Sequence, residues 1–512
     1  MPASVSRVAA AIFAVAFAWA VPTAAQAADG SARALVGQAI AAQGGEAALH
    51  TAQAVEWDFE GYRDMVEQSE RPEGPYIPEF RSVREIHDFA GGRFAQMVGQ
   101  RVYPEFQFSS GMVADRSAAV QLFGKNRAPG RPDMVAAGQD LLAISPERLL
   151  LTAFDARDLR KAPSVVLQSV PQDVVAFSVN GSPATLFLNR YTHLPTALDY
   201  AGPAARQDFW RFFGDTTMRI FYSYWWLGNS GVRLPMQWDI YRNGLHDMSL
   251  MATKVIWSAG PDEALLQISP ELRAAFAKQA AAASLPPKLT AAVEIAPGIA
   301  FIPGAWNISF VRQPDGIVIL EAPISSAYSE QVIGQARKLY PGLPIKAVVT
   351  TSDSWPHIAG IRTYVALGVP IYCLDLNVPI LTRLAHAHFS NPPDELELHS
   401  RKPRFMPVSG KTVIGAGPTA IELYPLRGET GERQMIAYFP AQRLLYGSDP
   451  FQEDSNGRYR TTQSVSELVD AVAREGLHPQ RFYLMHVAPA NWSKALDSIA
   501  PANLRFPDGT LQ

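Results

Sequence analysis

The chain has 512 residues, a formal net charge of −3, 47% hydrophobic residues and a single cysteine. That length can bury more than one core, so two domains of roughly 200 residues each are expected. The near-neutral balance, without a basic stripe, argues against nucleic acid as a partner, and one cysteine excludes an intramolecular disulfide.

In chain order, residues 1–27 read as a secretory leader: Arg7, an apolar run from Val8 to Val21, and Ala25-Gln26-Ala27 as a small-residue cleavage site. The run is too short for a membrane-spanning helix and no later stretch qualifies, so a periplasmic or secreted protein without a transmembrane span is expected. Residues 31–43 suggest a helix closed by Gly44-Gly45. From there to about 258 the pattern is mostly β. Val55, Trp57 and Phe59 alternate with Glu56, Asp58 and Glu60, as in a half-buried strand. Asn180-Gly181 between two apolar runs is a hairpin signal. An aromatic tract follows, with Phe209, Trp210, Phe212, Phe213, Phe221, Tyr222, Tyr224, Trp225 and Trp226. It reads as core, or as the lining of a cavity for an acyl chain. This helix and antiparallel meander resemble the half-barrel of LolA-like periplasmic carriers, in architecture alone. Residues 262–283 suggest one helix, and Ser284-Leu285-Pro286-Pro287 a linker. An N-terminal β domain over 28–285 and a second domain over 291–505 are therefore expected.

From about 291 strands alternate with helices. Pro314-Asp315-Gly316 marks a hairpin, Ser325 or Ser326 can cap a helix, and Ser464-x-x-Glu467 reads as a capping box. The apolar run Val369–Leu374 around Cys373 suggests a buried strand, with the cysteine as core rather than nucleophile. Ile345 to Thr350 is a β-branched strand, and Ile358, Ile361, Val365 and Leu367 have helical spacing up to Gly368. The residues between, Thr351-Ser-Asp-Ser-Trp-Pro-His-Ile-Ala-Gly360, leave a strand end and enter a helix, a common place for metal and anion sites.

This loop resembles the metal-binding loop of the metallo-β-lactamase superfamily, whose pattern is Thr-His-x-His-x-Asp-His-x-x-Gly. Thr351 and Gly360 match, and His357 takes the place of the last histidine; Ser352, Ser354 and Pro356 replace the other three ligands. The resemblance implies an α+β chain whose second half is a four-layer αββα sandwich. It implies Asp449, in Gly-Ser-Asp at 447–449, as the metal-bridging aspartate and His486 as the final histidine. Glu321 falls at a strand end that in the family carries an acidic residue beside the site. The remaining ligand position, soon after a strand at 418–424, holds no histidine; Glu429 or Glu432 are the substitutes.

A hydroxyl is a poor zinc ligand, so the family's three-histidine site is expected to be absent. His357, Asp449 and His486 with open positions suffice for one Zn²⁺ or Fe²⁺, and Asp353 and Glu429 are then candidate general bases. A metal-dependent hydrolase acting on a small molecule is one reading. The other is an inactive member serving as a binding module or scaffold, with a lipid-like ligand in the N-terminal β domain. His386-x-His388 with His399 is a weaker metal candidate, because residues two apart point to different sides of a helix.

Overall fold

The computed structural model describes residues 30–66, 69–102, 107–202, 214–258, 260–282, 289–390, 393–454, 457–459 and 461–504. The leader expected at 1–27, the linker at 284–287 and the aromatics Phe209, Trp210, Phe212 and Phe213 lie outside these residues. Among those described, no helix is long and apolar enough to cross a membrane.

The chain is α+β. Its first half forms one 13-stranded sheet in which every neighbouring pair is antiparallel. Strand Ala54–Asp64 lies mid-sheet, paired with Pro78–Asp88 and Leu245–Ser258. Its period-two pattern buries Val55, Trp57 and Phe59 on one face, and a one-residue slip would turn all three to the other side. The hairpin at Asn180-Gly181 is present with both residues at positive φ, 48° and 82°, as a tight two-residue turn requires. Tyr222 is buried, whereas Tyr224 and Trp226, nearer the end of the same strand, are exposed.

Two helices absent from the sequence reading, Asp133–Ile144 and Leu149–Asp155, interrupt this β region. Gly138 sits in the interior of the first, where it weakens local helix propensity. A Cβ there would come within 2.8 Å of the Ala114 side chain, so close packing on the sheet overrides propensity. The single helix expected over 262–283 is two helices, Glu263–Leu266 and Pro270–Ala282. Pro270 starts the second, a position that tolerates its missing N–H.

The second half holds a seven-stranded and a six-stranded sheet. Val318, Leu320 and Val349 of one share an apolar core with Leu423, Ala437 and Tyr446 of the other. Outside the first sheet, helix Ser326–Leu339 buries Val332, Ile333 and Ala336 against Ile319 and Val348. Outside the second, helix Thr462–Arg474 buries Val465, Leu468 and Val472 against Leu445 and Phe482. Ser325 caps the former by accepting the Tyr328 N–H. The capping box expected at Ser464 is not formed: Thr461 is the N-cap, and Glu467 instead accepts N–H bonds from Thr430 and Gly431 of a neighbouring loop. A carboxylate that serves another segment's orphan donors is unavailable to its own helix start.

Candidate metal centre

Three strands end at one place. His357 follows strand Ile345–Thr350 on the one-turn helix Trp355–Ile358. Asp449 follows Leu444–Gly447, and His486 follows Arg481–Leu484, which lies parallel to it. Gly360 then lets the chain turn into helix Ile361–Leu367; a Cβ there would meet the Ser329 hydroxyl at 2.1 Å and the Ser325 carbonyl at 2.8 Å. Gly368 ends that helix at φ 74° and donates to Tyr364 and Val365, as the expected C-cap.

His357 Nε2 lies 3.4 Å from His486 Nε2 and 3.7 Å from Asp449 Oδ2, and His486 Nε2 lies 4.0 Å from the same oxygen. A point equidistant from three atoms so spaced is about 2.2 Å from each, close to the zinc–nitrogen and zinc–oxygen bond lengths. Each imidazole is oriented through its other nitrogen. His486 Nδ1 donates to the Ala305 carbonyl, and His357 Nδ1 meets the Ser448 hydroxyl. In the tautomers that put both protons on Nδ1, the Nε2 lone pairs converge with the carboxylate, the arrangement a divalent cation requires. It is the only group of three or more metal-ligating side chains among the described residues.

Burial and the neighbouring His486 hold His357 well below the usual imidazole range, so it stays neutral. Burial pushes Asp449 up to about 6, against the attraction of His486. Trp306, from the loop before strand Ile308–Gln313, stands edge-on to both rings, at 5.2 and 4.8 Å between centroids. Asn307 beside it donates from its amide to the Leu484 and Val487 carbonyls, fastening that loop to the segment that carries His486. The sequence assigns no role in the site to Trp306, Ser448 or Asn307, since each acts through a partner at least 90 residues away.

The serines standing where the superfamily pattern has histidines close the loop on itself: the Ser354 N–H donates to the Ser352 hydroxyl at 3.0 Å. Asp353 between them is pushed up to about 7 by burial, with Arg433 opposing and Glu73 and Glu432 adding to the shift. The group of metal-ligating side chains includes neither Glu429 nor Glu432. Glu429 is exposed, on a loop whose Thr430 and Gly431 are tied to Glu467. Glu432 pairs with Arg71 at 2.6 Å. His388 and His399 are exposed and pair with Glu397 and Glu395.

Glu321, at φ 80° and fully buried, fastens the start of the loop by accepting the Thr351 N–H and hydroxyl. Burial raises it from 4.5 to about 8, against those hydrogen bonds. The folded state therefore holds a proton that the unfolded chain releases between those two values, and stability falls as pH rises through that window. Glu321→Gln removes this dependence and keeps an acceptor for Thr351. It is expected to flatten the pH profile of chemical unfolding and to stabilise the protein near pH 8 by a few kcal/mol at most, at a limit of about 1.4 kcal/mol per pH unit. An unchanged slope would show that Glu321 is ionised in the fold.

No family profile matches the chain, and no curated protein does. Among solved structures it is similar to the flavodiiron protein from Giardia intestinalis, at 12% identity over 42% of this chain and 59% of that one, TM-score 0.33. It is similar to the sec-alkylsulfatase Pisa1 from Pseudomonas sp., at 13% identity over 41% of this chain and 40% of that one, TM-score 0.32. A metallo-β-lactamase from Pontibacter korlensis is similar at 13% identity over 41% of this chain and 97% of that one, TM-score 0.32. The chain thus spans less than two thirds of the flavodiiron protein and of the sulfatase.

Proposed function

We propose that this chain is a hydrolase of the metallo-β-lactamase superfamily that works through a single-ion centre made by His357, Asp449 and His486. In this reading the αββα sandwich over 291–505 is the catalytic unit, 28–285 is a separate β-rich unit, and the leader at 1–27 exports the protein to the periplasm or beyond. What supports it is the convergence of three ligand atoms, from three strand ends, at 3.4, 3.7 and 4.0 Å. Two imidazoles and one carboxylate suit Zn²⁺ or Fe²⁺. Either ion, when bound, would supply Lewis acidity, and zinc would bring the pKa of water beside it to about 7. The chain's own groups do the rest. The Ala305 carbonyl accepts from His486 Nδ1, Ser448 orients His357 through its Nδ1, and Trp306 stands edge-on to both rings. Asp353, raised to about 7, can take or return a proton at neutral pH.

The test is elemental analysis and zinc calorimetry on full-length protein purified without chelators. One equivalent of ion is expected, not two, because Ser352 and Ser354 offer hydroxyls where zinc takes imidazole, thiolate or carboxylate. Hydrolysis of an ester and lactone panel should disappear with a chelator and return with the ion. Protein that carries no metal and takes up none on addition would overturn the reading in favour of a scaffold. A second expectation separates oriented from unoriented ligands. Ser448→Ala should weaken metal affinity about 10- to 100-fold, as loss of an outer-shell partner does, whereas Ser352→Ala should change it little. Equal effects of the two substitutions would mean that Ser448 does not orient His357.

A further inference from the structure

A cavity of about 270 Å³ lies between the 13-stranded sheet and helix Asp133–Ile144, just under the ~300–1,000 Å³ typical of small-molecule sites. The charged side chains that line it are Arg63, Arg81, Arg242, Asp247, Glu85 and His87, and each already faces an opposite charge. Arg63 and Arg242 share Asp247, at 3.3 and 2.9 Å, Arg81 pairs with Glu79, and Glu85 pairs with His87 at 3.1 Å. An ionic ligand would bring an unmatched charge to a set that is complete, and a buried unmatched charge is costly. The lining therefore favours an uncharged ligand.

The apolar part of the cavity has a direction. Tyr222, Trp238 and Leu250 stand directly opposite one another on three neighbouring strands, and all three line the cavity. Two strand spacings of ~4.8 Å make this row about 10 Å long, the reach of a medium-length alkyl chain. Leu141 and Ile144 of the helix line the cavity from the other side. The Trp238 indole donates to the Pro235 carbonyl at 3.0 Å, so the row's remaining polar group is the Tyr222 hydroxyl. It is buried on a residue only 5% exposed and has no hydrogen-bond partner among the described residues. An orphaned buried polar atom of this kind costs about 1–3 kcal/mol. Burial, with Glu147 adding, raises this hydroxyl well above the ordinary phenol range, so it stays protonated and able to donate. Arg242 Nη1 is also without a partner, but Asp247 already meets the charge of its guanidinium, so it adds a donor to the lining and no charge.

We infer that this cavity binds an uncharged medium-chain aliphatic alcohol or ketone, its oxygen accepting from the Tyr222 hydroxyl and its chain lying across Trp238 and Leu250. The site shares no residue with the His357, Asp449 and His486 centre and stands whether or not that centre hydrolyses anything.

The experiment is calorimetric titration of the full-length protein with decanol, decanoate and decylammonium, which share one chain and differ in the charge of the head. Tryptophan fluorescence, to which Trp238 contributes, is the second readout. Decanol should bind one to one, and both ions should bind about tenfold or more weaker, because each adds an unmatched charge to a paired lining. Tyr222→Phe should weaken decanol about three- to tenfold, as loss of one hydrogen bond does. Leu250→Trp should block decanol by filling the middle of the row. Either ion binding as tightly as decanol, or no binding of decanol, overturns the proposal without needing any variant to fold. Undiminished decanol binding by folded Leu250→Trp or Tyr222→Phe protein overturns it as well, since the ligand would then lie elsewhere.

Discussion

Asp449→Ala should leave the protein folded but without its ion and without hydrolytic activity. Asp449 is the one anion of the three ligands, and its removal leaves two imidazoles that must share a dication with water. The loss in metal affinity should exceed the ~100-fold that an outer-shell change can cost. Stability of the metal-free protein should not suffer. Burial raises Asp449 from 3.8 to about 6, so in the absence of an ion its ionised form weakens the fold as pH rises through that range. The variant should therefore unfold at the same denaturant concentration as the metal-free parent, or slightly later. Zinc should then stabilise only the parent, by about 2.7 kcal/mol at a hundredfold excess over its Kd. Because a proton competes with the ion for Asp449, affinity in the parent should fall as pH drops below about 6. Zinc that stabilises both proteins equally would remove Asp449 from the site.

His87→Leu should destabilise the first half of the chain by about 3–5 kcal/mol. His87 is buried between two carboxylates, with Glu147 at 2.7 Å and Glu85 at 3.1 Å, and the Trp57 indole donates to Glu147 at 3.0 Å. Burial alone would lower His87, but Glu147 and Glu85 outweigh it and raise the imidazole from 6.5 to about 10. Removing it leaves a buried carboxylate without its cation, a change that costs about 3–5 kcal/mol. The sign of the pH effect follows from the raised value. The stabilisation is complete below 6.5, declines as pH rises, and is gone above about 10. Wild type should therefore lose stability between neutral and alkaline pH, while His87→Leu should be flatter there. His87→Leu with Glu147→Gln should recover part of the loss, because glutamine still accepts from Trp57 without carrying a charge. A wild-type profile as flat as the variant's would show that His87 is neutral in the fold.

Much of the local structure could be read directly from the chain, and the reason is periodicity. Val55, Trp57 and Phe59 announce their strand because every second residue must face the same side. Gly368 and Ser325 announce helix ends because the backbone groups they satisfy lie within a few residues. Reading failed where the partner lay far along the chain. Glu467 looked like a local cap until Thr430, 37 residues earlier, took its carboxylate. Glu432 looked like a spare ligand until Arg71, 361 residues away, claimed it. Helix Asp133–Ile144 was hidden by Gly138, whose fit against Ala114 no local pattern records.

The candidate site divides the same way. By itself the sequence determined that His357, Asp449 and His486 each follow a strand, and that Ser352 and Ser354 cannot serve as zinc ligands, because those facts depend on residue type and local pattern. Only the tertiary structure decided that the three side chains meet within 4.0 Å and that Ser448 and Ala305 fix their rings. It also decided that Trp306 stands edge-on to both rings and that Glu429 is exposed. Metal binding depends on separations of a few ångström between atoms 37 to 129 residues apart in sequence, and such distances are set by how two sheets pack, not by any one strand.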